Sequence, residues 1–288
     1  MSVAGGVSKA VERARLHGCE ALQIFTKNNA RWAGTRIAPI DAKRFRQAVE
    51  AAGLAPVVSH ASYLINLAAK PGPLRDKSID AMVDELERAH LLGLLGVVVH
   101  PGVAAADSTE DEAIALAAEA IRAAFARFHG RTMVLLEHTA GQGRTIGHRF
   151  EHLAAILGHL NGTQRAGVCL DTCHLVASGY DIANDAGYED TFARFDRIVG
   201  FERLRVMHAN DSKRPCGSRL DRHEHIGKGY VGVKAFQRLL HDRRLAHLAM
   251  VIETHKTPGV CDHPKLARED PLDRMNLEAL RNLRRANL

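Results

Sequence analysis

Six short apolar runs of the chain each end in a histidine or a carboxylate. The residues at these ends are His60, His100, Glu137, Asp171, His208 and Glu253. A single polar residue in such a place is usually an ordinary strand end that meets solvent. If the fold brings all six to one edge, several carboxylates lie side by side, which is unfavourable unless cations are bound. The pattern therefore predicts a metal site.

Two loops add three candidate ligands to these six. His174 follows Asp171 within DTCH (171–174), and Asp221 is separated from His223 by one residue. Residues two apart on an extended chain point the same way, so Asp221 and His223 can hold one ion, while Asp171 and His174 suit neighbouring ions across a turn. Histidines and carboxylates without thiolates suit zinc first and manganese or iron next. Three ions would use the whole set.

These side chains can meet only if parallel strands carry them to one edge. Apolar or β-branched runs alternate with stretches of helical period, which predicts strands at 21–26, 56–60, 96–100, 132–137, 166–171, 203–208 and 247–253. The predicted helices are 8–17, 41–53, 74–93, 109–128, 149–160, 188–200, 231–242 and 276–287. Asp41 and Thr109 are candidate N-caps. The alternation predicts a (β/α)8 TIM barrel, as a single domain over residues 1–288, with its site at the C-terminal ends of the strands.

The prediction has eight helices but only seven strands, because the helix at 8–17 precedes the first visible strand. The first strand of the barrel is therefore missing from the pattern. Either the chain as given starts too late, or the barrel has a gap beside the strand at 21–26. An open seam exposes backbone groups, at about 1 to 3 kcal/mol for each one left buried and unsatisfied. We expect the first strand to be truncated and the chain as written to be poorly soluble.

Composition limits the class of protein. With 46% hydrophobic and 25% charged residues, the chain can bury a sizeable core. It shows neither an apolar run of the roughly 20 residues that cross a bilayer nor a secretory signal, so we expect a cytoplasmic protein without membrane contact. We also expect a monomer. A net charge of +6 fits either a polyanionic partner or a solvated basic surface. The five cysteines are interpreted as free thiols: Cys19, Cys169, Cys173, Cys216 and Cys261.

From residue 4 to the C-terminus, the sequence around these candidates resembles the endonuclease IV family of apurinic/apyrimidinic (AP) endonucleases. The matching motifs are FTKN (25–28), HASYLINL (60–67), HPG (100–102), LEHTAGQG (136–143), GVCLDTCH (167–174), MHANDSK (207–213), GSRLDRHEHIGKG (217–229) and IET (252–254). The resemblance implies a TIM barrel with three zinc ions, for which manganese is a substitute. By this resemblance His60 and His100 hold the first ion, Asp171, His208 and Glu253 the second, and His174, Asp221 and His223 the third, with Glu137 bridging the first two.

The resemblance also implies the reaction. A DNA-repair enzyme of this family hydrolyses the phosphodiester bond 5′ to an abasic site, leaving a 3′-hydroxyl and a 5′-deoxyribose phosphate, and it trims blocked 3′ ends. Its partner is double-stranded DNA that contains abasic sites or blocked 3′ ends, so in a bacterium we expect it to be associated with the nucleoid. Glu137 and Glu253 are the implied catalytic carboxylates. A phosphodiester anion repels hydroxide and has a poor leaving group. Clustered zinc ions can lower the pKa of a bound water, which then supplies hydroxide, and can stabilise the leaving oxygen.

Two loops are the candidates for recognising damaged DNA. Members of the family insert side chains from such loops beside the lost base, and Tyr63 and Leu64 match one of them, although a packed Tyr-Leu pair is the ordinary alternative. After FTKN, the second loop reads NNARW (28–32). Arg31 is therefore shifted by one position from where an intercalating side chain is expected, and it is the candidate in this loop.

Two other functions stay open at this point. A sugar isomerase or epimerase on a similar barrel also gathers Glu, Asp and His around one or two ions, but it leaves no role for His174, Asp221 and His223. A DNA-binding homologue that has lost catalysis would keep the metal ligands. Only turnover of abasic DNA separates that protein from the enzyme.

Overall fold

The structure is a computed structural model that describes residues 1–161, 163–260 and 263–286. Its strands are β1 (Leu22–Ile24), β2 (Val57–His60), β3 (Gly96–Val99), β4 (Met133–Glu137), β5 (Ala166–Asp171), β6 (Leu204–His208), β7 (Asp211–Ser212), β8 (His223–Glu224) and β9 (Ala249–Val251). β1 to β6 and β9 form one parallel sheet in that order, and β7 pairs with β8 as a short antiparallel ribbon. Each of the seven predicted strands is present within its predicted range.

The helices of the described chain cover the outside of this sheet. They are α1 (Val7–Leu16), α2 (Pro39–Ala51), α3 (Pro73–Leu92), α4 (Glu110–Arg127), α5 (Phe150–His159), α6 (Thr172–Ser178), α7 (Asp185–Ile198), α8 (Gly232–His241) and α9 (Pro271–Arg285). In the three described ranges, none of them combines the length and apolar character that a membrane span needs.

Three details at the ends of elements differ from the sequence prediction. Asp41 is not an N-cap, because Pro39 fits the first helical position and α2 therefore begins after Ala38. α9 begins earlier than predicted, at Pro271, where Asp270 accepts hydrogen bonds from two amides of the first turn. Helix α6 and the β7–β8 ribbon were not predicted, since both are short elements inside loops. Thr109 does cap α4, in a capping box.

The barrel is open on one side among the described residues. β1 and β9 are the two edges of the sheet, and a cavity of about 470 Å³ is lined by residues of both, including Leu22, Gln23, Met250 and Val251. The amino group of Met1 donates to the Gln23 carbonyl in this region at 2.6 Å. The gap predicted beside the first visible strand is therefore present, and within the described parts of the chain β1 pairs with β2 alone.

Helix α3 ties together the loops that follow β1 and β2. Glu85 of α3 is buried and accepts hydrogen bonds from Thr26 Oγ1 at 2.9 Å and from the Ser62 amide at 3.2 Å. Lys27 Nζ lies 3.5 Å from Glu85 and 2.5 Å from Asp84. Because Thr26 and Lys27 belong to one loop and Ser62 to the other, one buried carboxylate fixes both.

We predict that Glu85→Ala lowers the free energy of unfolding by about 3 to 5 kcal/mol, the usual effect of removing one partner of a buried ion pair. The change leaves Lys27 with less compensation and the Ser62 amide without its acceptor. Urea denaturation measures the effect. Glu87→Ala, at an exposed position of the same helix, is the control and should stay within about 0.5 kcal/mol of the native protein. Equal stability of the two variants would contradict the role given to Glu85.

Candidate metal centre

The strands bring six predicted ligands to the barrel mouth through their two-residue period. Val58, Val98, Leu135, Cys169 and Val206 pack together as one cluster of inward-facing residues, with Val251 against them. Residues two apart in a strand face the same side of a sheet. Each residue two positions further on therefore lies above this layer, and these residues are His60, His100, Glu137, Asp171, His208 and Glu253.

Glu137 lies at the centre of the cluster and is 1% exposed. Its Oε2 atom lies 3.0 Å from His60 Nε2 and 3.3 Å from His100 Nε2. Its Oε1 atom lies 3.1 Å from His208 Nδ1 and 3.3 Å from His174 Nδ1. Oε2 thus faces the Nε2 atoms of two histidines and Oε1 faces His208 Nδ1, a division that suits a carboxylate bridging two cations. His174 Nδ1 is not available to such a cation, because it donates to the His138 carbonyl at 2.8 Å.

In His60, one ring nitrogen is hydrogen-bonded to the backbone and the other faces Glu137. Its Nδ1 atom lies 2.8 Å from the Ala61 carbonyl, which can only accept, so Nδ1 carries the proton. In the neutral ring Nε2 then presents a lone pair to the Glu137 oxygen. Two such groups attract each other only when a proton or a cation lies between them.

A second group surrounds His208. Its Nδ1 atom lies 3.0 Å from Glu253 Oε2 and 3.7 Å from Asp171 Oδ2, in addition to the contact with Glu137. Three carboxylates therefore converge on one imidazole nitrogen, and Asp171 and His208 are both fully buried. Such a concentration of negative charge calls for a compensating cation.

The third group forms around Asp221. His174 Nε2 lies 3.1 Å from Asp221 Oδ2, and His223 Nε2 lies 3.3 Å from Asp221 Oδ1. Both nitrogens are buried, and neither has a hydrogen-bond partner among the described residues. Short distances without hydrogen-bond geometry are what a cation between the atoms would produce, so the residues present fit a metal ion. Asp171 and His174 are joined by a helix start rather than a turn, since Asp171 caps α6 and accepts from the His174 amide at 3.0 Å.

The four clusters at the mouth agree in part with the division that the family resemblance implies. Within each, the candidate ligand atoms lie within 4.8 Å of one another. The clusters are His60, His100 and Glu137; Glu137, Asp171, His208 and Glu253; Asp171, His174 and His223; and Cys173, Asp221 and His223. The first two match the implied first and second ions, and the third ion's residues are spread over the other two.

Cys173 was not among the ligands expected from the sequence. It adjoins His174 in the DTCH motif, and this position was the available signal. Burial and the Asp171 charge raise the pKa of its thiol to about 12, and the thiol donates to the Arg222 carbonyl at 3.6 Å. Cys19, Cys169, Cys173 and Cys216 are free, as predicted, and Cys261 lies outside the described residues.

Gln23 was also missed by the sequence analysis. Its Nε2 atom donates to Glu253 Oε1 at 2.6 Å, and its Oε1 atom lies 2.9 Å from His208 Nε2. The only signal was an amide inside an otherwise apolar strand. The structure thus adds an uncharged side chain from β1 to the edge of the metal cluster.

The predicted DNA-recognition residues lie in two loops that contact each other at the mouth. The Tyr63 ring is 61% exposed, and its centroid lies 5.4 Å from that of His60. Leu64 beside it is half-buried, and Arg31 is exposed on the loop after β1. The Asn29 carbonyl joins the loops, since it accepts from the Tyr63 amide at 3.2 Å.

Another group of suitable residue types lies away from the mouth cluster. Glu110, His148 and His152 have ligand atoms within 4.8 Å of one another. The His152 ring nitrogens, however, lie 3.1 Å from the Gly147 amide and 2.8 Å from the Arg149 Nε–H, so both face donors. A neutral imidazole has one lone pair, which one of these donors already occupies, so His152 offers none to a cation and we assign the group a structural role.

The charges of the mouth cluster shift the proton affinities of its members. Burial lowers the pKa of His174, but the Asp171 and Asp221 carboxylates outweigh it and raise that pKa well above its ordinary value. Against burial, the same carboxylates raise the pKa of His223 to about 9. Burial would raise the pKa of Glu253, and the His208 charge instead lowers it to about 2. Protons and cations therefore compete for the same atoms.

Comparisons with known proteins relate the whole chain to DNA endonucleases. The model of the second AP endonuclease family, described as a xylose isomerase-like TIM barrel, matches residues 11–281. A probable endonuclease 4 of Chloroflexus aurantiacus is 46% identical over 284 residues, which cover 98% of this chain and 96% of that protein. A probable endonuclease 4 of a Geobacter species is 44% identical over 286 residues, with the same coverage of 98% and 96%.

Solved structures agree with this relation. Endonuclease IV from Thermus thermophilus aligns with a TM-score of 0.84 at 37% identity, covering 98% of this chain and 96% of that one. A D-psicose 3-epimerase of Clostridium cellulolyticum aligns with a TM-score of 0.63 at 16% identity, covering 98% and 94%, and this likeness shows the fold alone. The predicted TIM-barrel class is confirmed, as a nearly closed barrel.

We predict that the protein treated with a chelator becomes less stable as the pH rises from about 6.5 to about 9. The folded state keeps the His223 proton up to about pH 9, whereas the unfolded chain releases it near its ordinary value of 6.5. The raised pKa therefore stabilises the folded protein fully below pH 6.5, and this contribution is lost as the pH passes 9. Urea denaturation at several pH values, compared with His223→Gln, isolates the effect, and an equal slope in both proteins would contradict it.

Proposed function

The chain belongs to the endonuclease IV family, and from this membership we propose that it is a DNA-repair endonuclease that hydrolyses the phosphodiester bond 5′ to an abasic site. The products are a 3′-hydroxyl and a 5′-deoxyribose phosphate, and the same site trims blocked 3′ ends. The substrate is double-stranded DNA, bound at the mouth of a single barrel domain. The relatives named above are probable endonucleases, and the identity over nearly the whole chain supports the transfer of that activity.

One observation carries the proposal of a site for several metal ions. One oxygen of Glu137 faces His60 and His100 and the other faces His208, as the oxygens of a bridging carboxylate would. We propose three zinc ions, with manganese as a substitute, in the division that the resemblance implies. The buried nitrogens of His174 and His223, which have no hydrogen-bond partner, support a third ion beside the bridged pair.

The protein's own residues orient the ligands in this proposal. His60 and His174 each donate one ring N–H to a backbone carbonyl, at 2.8 Å in both cases, so the remaining nitrogen is held toward the carboxylates. Glu137 lies between His60 and His208, Glu253 lies beside His208, and both act as the catalytic carboxylates. When bound, zinc supplies charge neutralisation for the phosphate and activation of water near neutral pH.

Recognition of damage is assigned to the two loops at the rim. A nucleotide without its base leaves the helical stack at low cost, and the gap that remains can be filled by a protein side chain. Tyr63 is exposed beside the first cluster and is proposed to fill it, with Leu64 behind it and Arg31 contacting the DNA from the loop after β1.

We predict that Glu137→Gln reduces kcat/KM on an abasic duplex by more than about 100-fold, because changing a group that only supports a ligand already costs 10 to 100-fold. The assay uses a duplex with one tetrahydrofuran abasic analogue, which blocks lyase chemistry, and native protein with and without prolonged chelation. One nick on the 5′ side that chelation abolishes is expected. Glu50→Gln, the same change at an exposed position of α2, should retain native activity.

Failure to cut, by protein that is folded and zinc-loaded, would overturn the proposed function. Sugar isomerase activity in that preparation would favour the epimerase-like alternative. Binding of the abasic duplex without cleavage would favour a homologue that has lost catalysis.

We predict that Tyr63→Ala raises KM for the abasic duplex by about 5 to 100-fold, since a stacked aromatic contributes roughly 1 to 3 kcal/mol per base. The kcat value should change far less, because the side chain is not among the proposed ligands. Tyr63→Phe keeps the ring and should stay near the native KM. Equal KM values for Tyr63→Ala and the native protein would remove Tyr63 from the recognition surface.

A further inference from the structure

Gln23 connects two residues of the second cluster that lie on different strands. Its Nε2 atom lies 2.6 Å from Glu253 Oε1, just after β9, and its Oε1 atom lies 2.9 Å from His208 Nε2, at the end of β6. Gln23 itself is in β1, on the other side of the open seam. One amide therefore contacts both partners.

The direction of these hydrogen bonds follows from the chemistry of the groups. In the proposed metal centre Glu253 is a carboxylate ligand, which can only accept hydrogen bonds, and the Gln23 Nε2 atom donates to its Oε1 atom at 2.6 Å. The amide NH2 of Gln23 must then face Glu253, and the amide oxygen faces His208. Since that oxygen can only accept, His208 Nε2 must carry a proton.

This proton determines which nitrogen of His208 is available to the site. With Nε2 protonated, the neutral ring has its lone pair on Nδ1, the atom that lies 3.0 to 3.7 Å from oxygens of Glu253, Glu137 and Asp171. With the opposite tautomer, an N–H would point into the cluster, and the ring could not bind a cation there.

Other histidines of the cluster receive the same orientation from the backbone. His60 donates from Nδ1 to the Ala61 carbonyl, and His174 donates from Nδ1 to the His138 carbonyl, both at 2.8 Å. At His208 a side chain takes this place. A substitution can therefore remove the orienting acceptor of His208 without changing the backbone.

We propose that Gln23 is a positioning residue of the metal centre, which holds His208 in the tautomer that binds the second ion and holds Glu253 beside it. The inference rests on the metal site of the proposed function. Gln23 itself contacts neither the substrate nor the ion in this role. It acts through His208 and Glu253.

The test compares Gln23→Met, which keeps the length of the side chain but removes both hydrogen-bonding groups, with Gln23→Glu, which keeps an acceptor for His208. Gln47→Met, at an exposed position of α2, is the matched control. Each zinc-loaded protein is equilibrated with increasing chelator, and the zinc retained per chain is measured. Melting temperatures of the chelated proteins and kcat and KM on the abasic duplex are measured alongside.

We expect Gln23→Met to lose one zinc ion at about 10 to 100-fold lower chelator concentration than the native protein, the usual effect of removing a group that orients a ligand. Gln47→Met should match the native protein, and Gln23→Glu should retain zinc better than Gln23→Met. A purely structural role would lower the melting temperature of chelated Gln23→Met and leave its zinc retention native. That result would overturn the inference.

The zinc measurement also separates this inference from the proposed function. If the native protein holds zinc but does not cut abasic DNA, the proposed function fails, while the contrast between the Gln23 variants still decides the role of Gln23. If the native protein cuts and Gln23→Met retains every ion as the native protein does, only the inference about Gln23 fails.

Discussion

The concentration of negative charge at the barrel mouth is the constraint on which the other features depend. Glu137 and Asp171 are buried there at 1% and 0% exposure, and Glu253 and Asp221 join them. Buried carboxylates are costly unless they are paired, and here the compensating groups are histidines and, in the proposed function, zinc ions. The strand ends, the helix cap at Asp171 and the anchored imidazole rings all serve to hold this charge in one place.

Much of this arrangement could be predicted from the sequence, because the barrel repeats a simple local rule. A residue such as His60 or Glu137 stands two positions after an inward-facing apolar residue, and the period of a strand alone sends it to the mouth. Thr109 likewise indicates the start of α4, since a Thr with a Glu three residues later can close a capping box.

Other parts of the site could not be predicted, because they depend on contacts between distant strands. Gln23 has no chemical signature of its own, and its role appears only when β1, β6 and β9 are placed side by side. The same is true of Glu85, a helix residue whose partners lie on two loops. At Asp41 the local signal was instead misleading: Asp is a favoured N-cap residue, but α2 begins at Pro39, so Asp41 lies inside the helix.

The position of β1 beside the open seam affects the proposed metal centre. β1 has one neighbouring strand, and across the seam the Gln23 amide reaches to Glu253 and His208. Outward movement of β1 must therefore separate the amide from two members of the cluster. In the proposed metal centre, closure of the seam and retention of the second ion are then linked equilibria, in which whatever favours one favours the other by the same free energy.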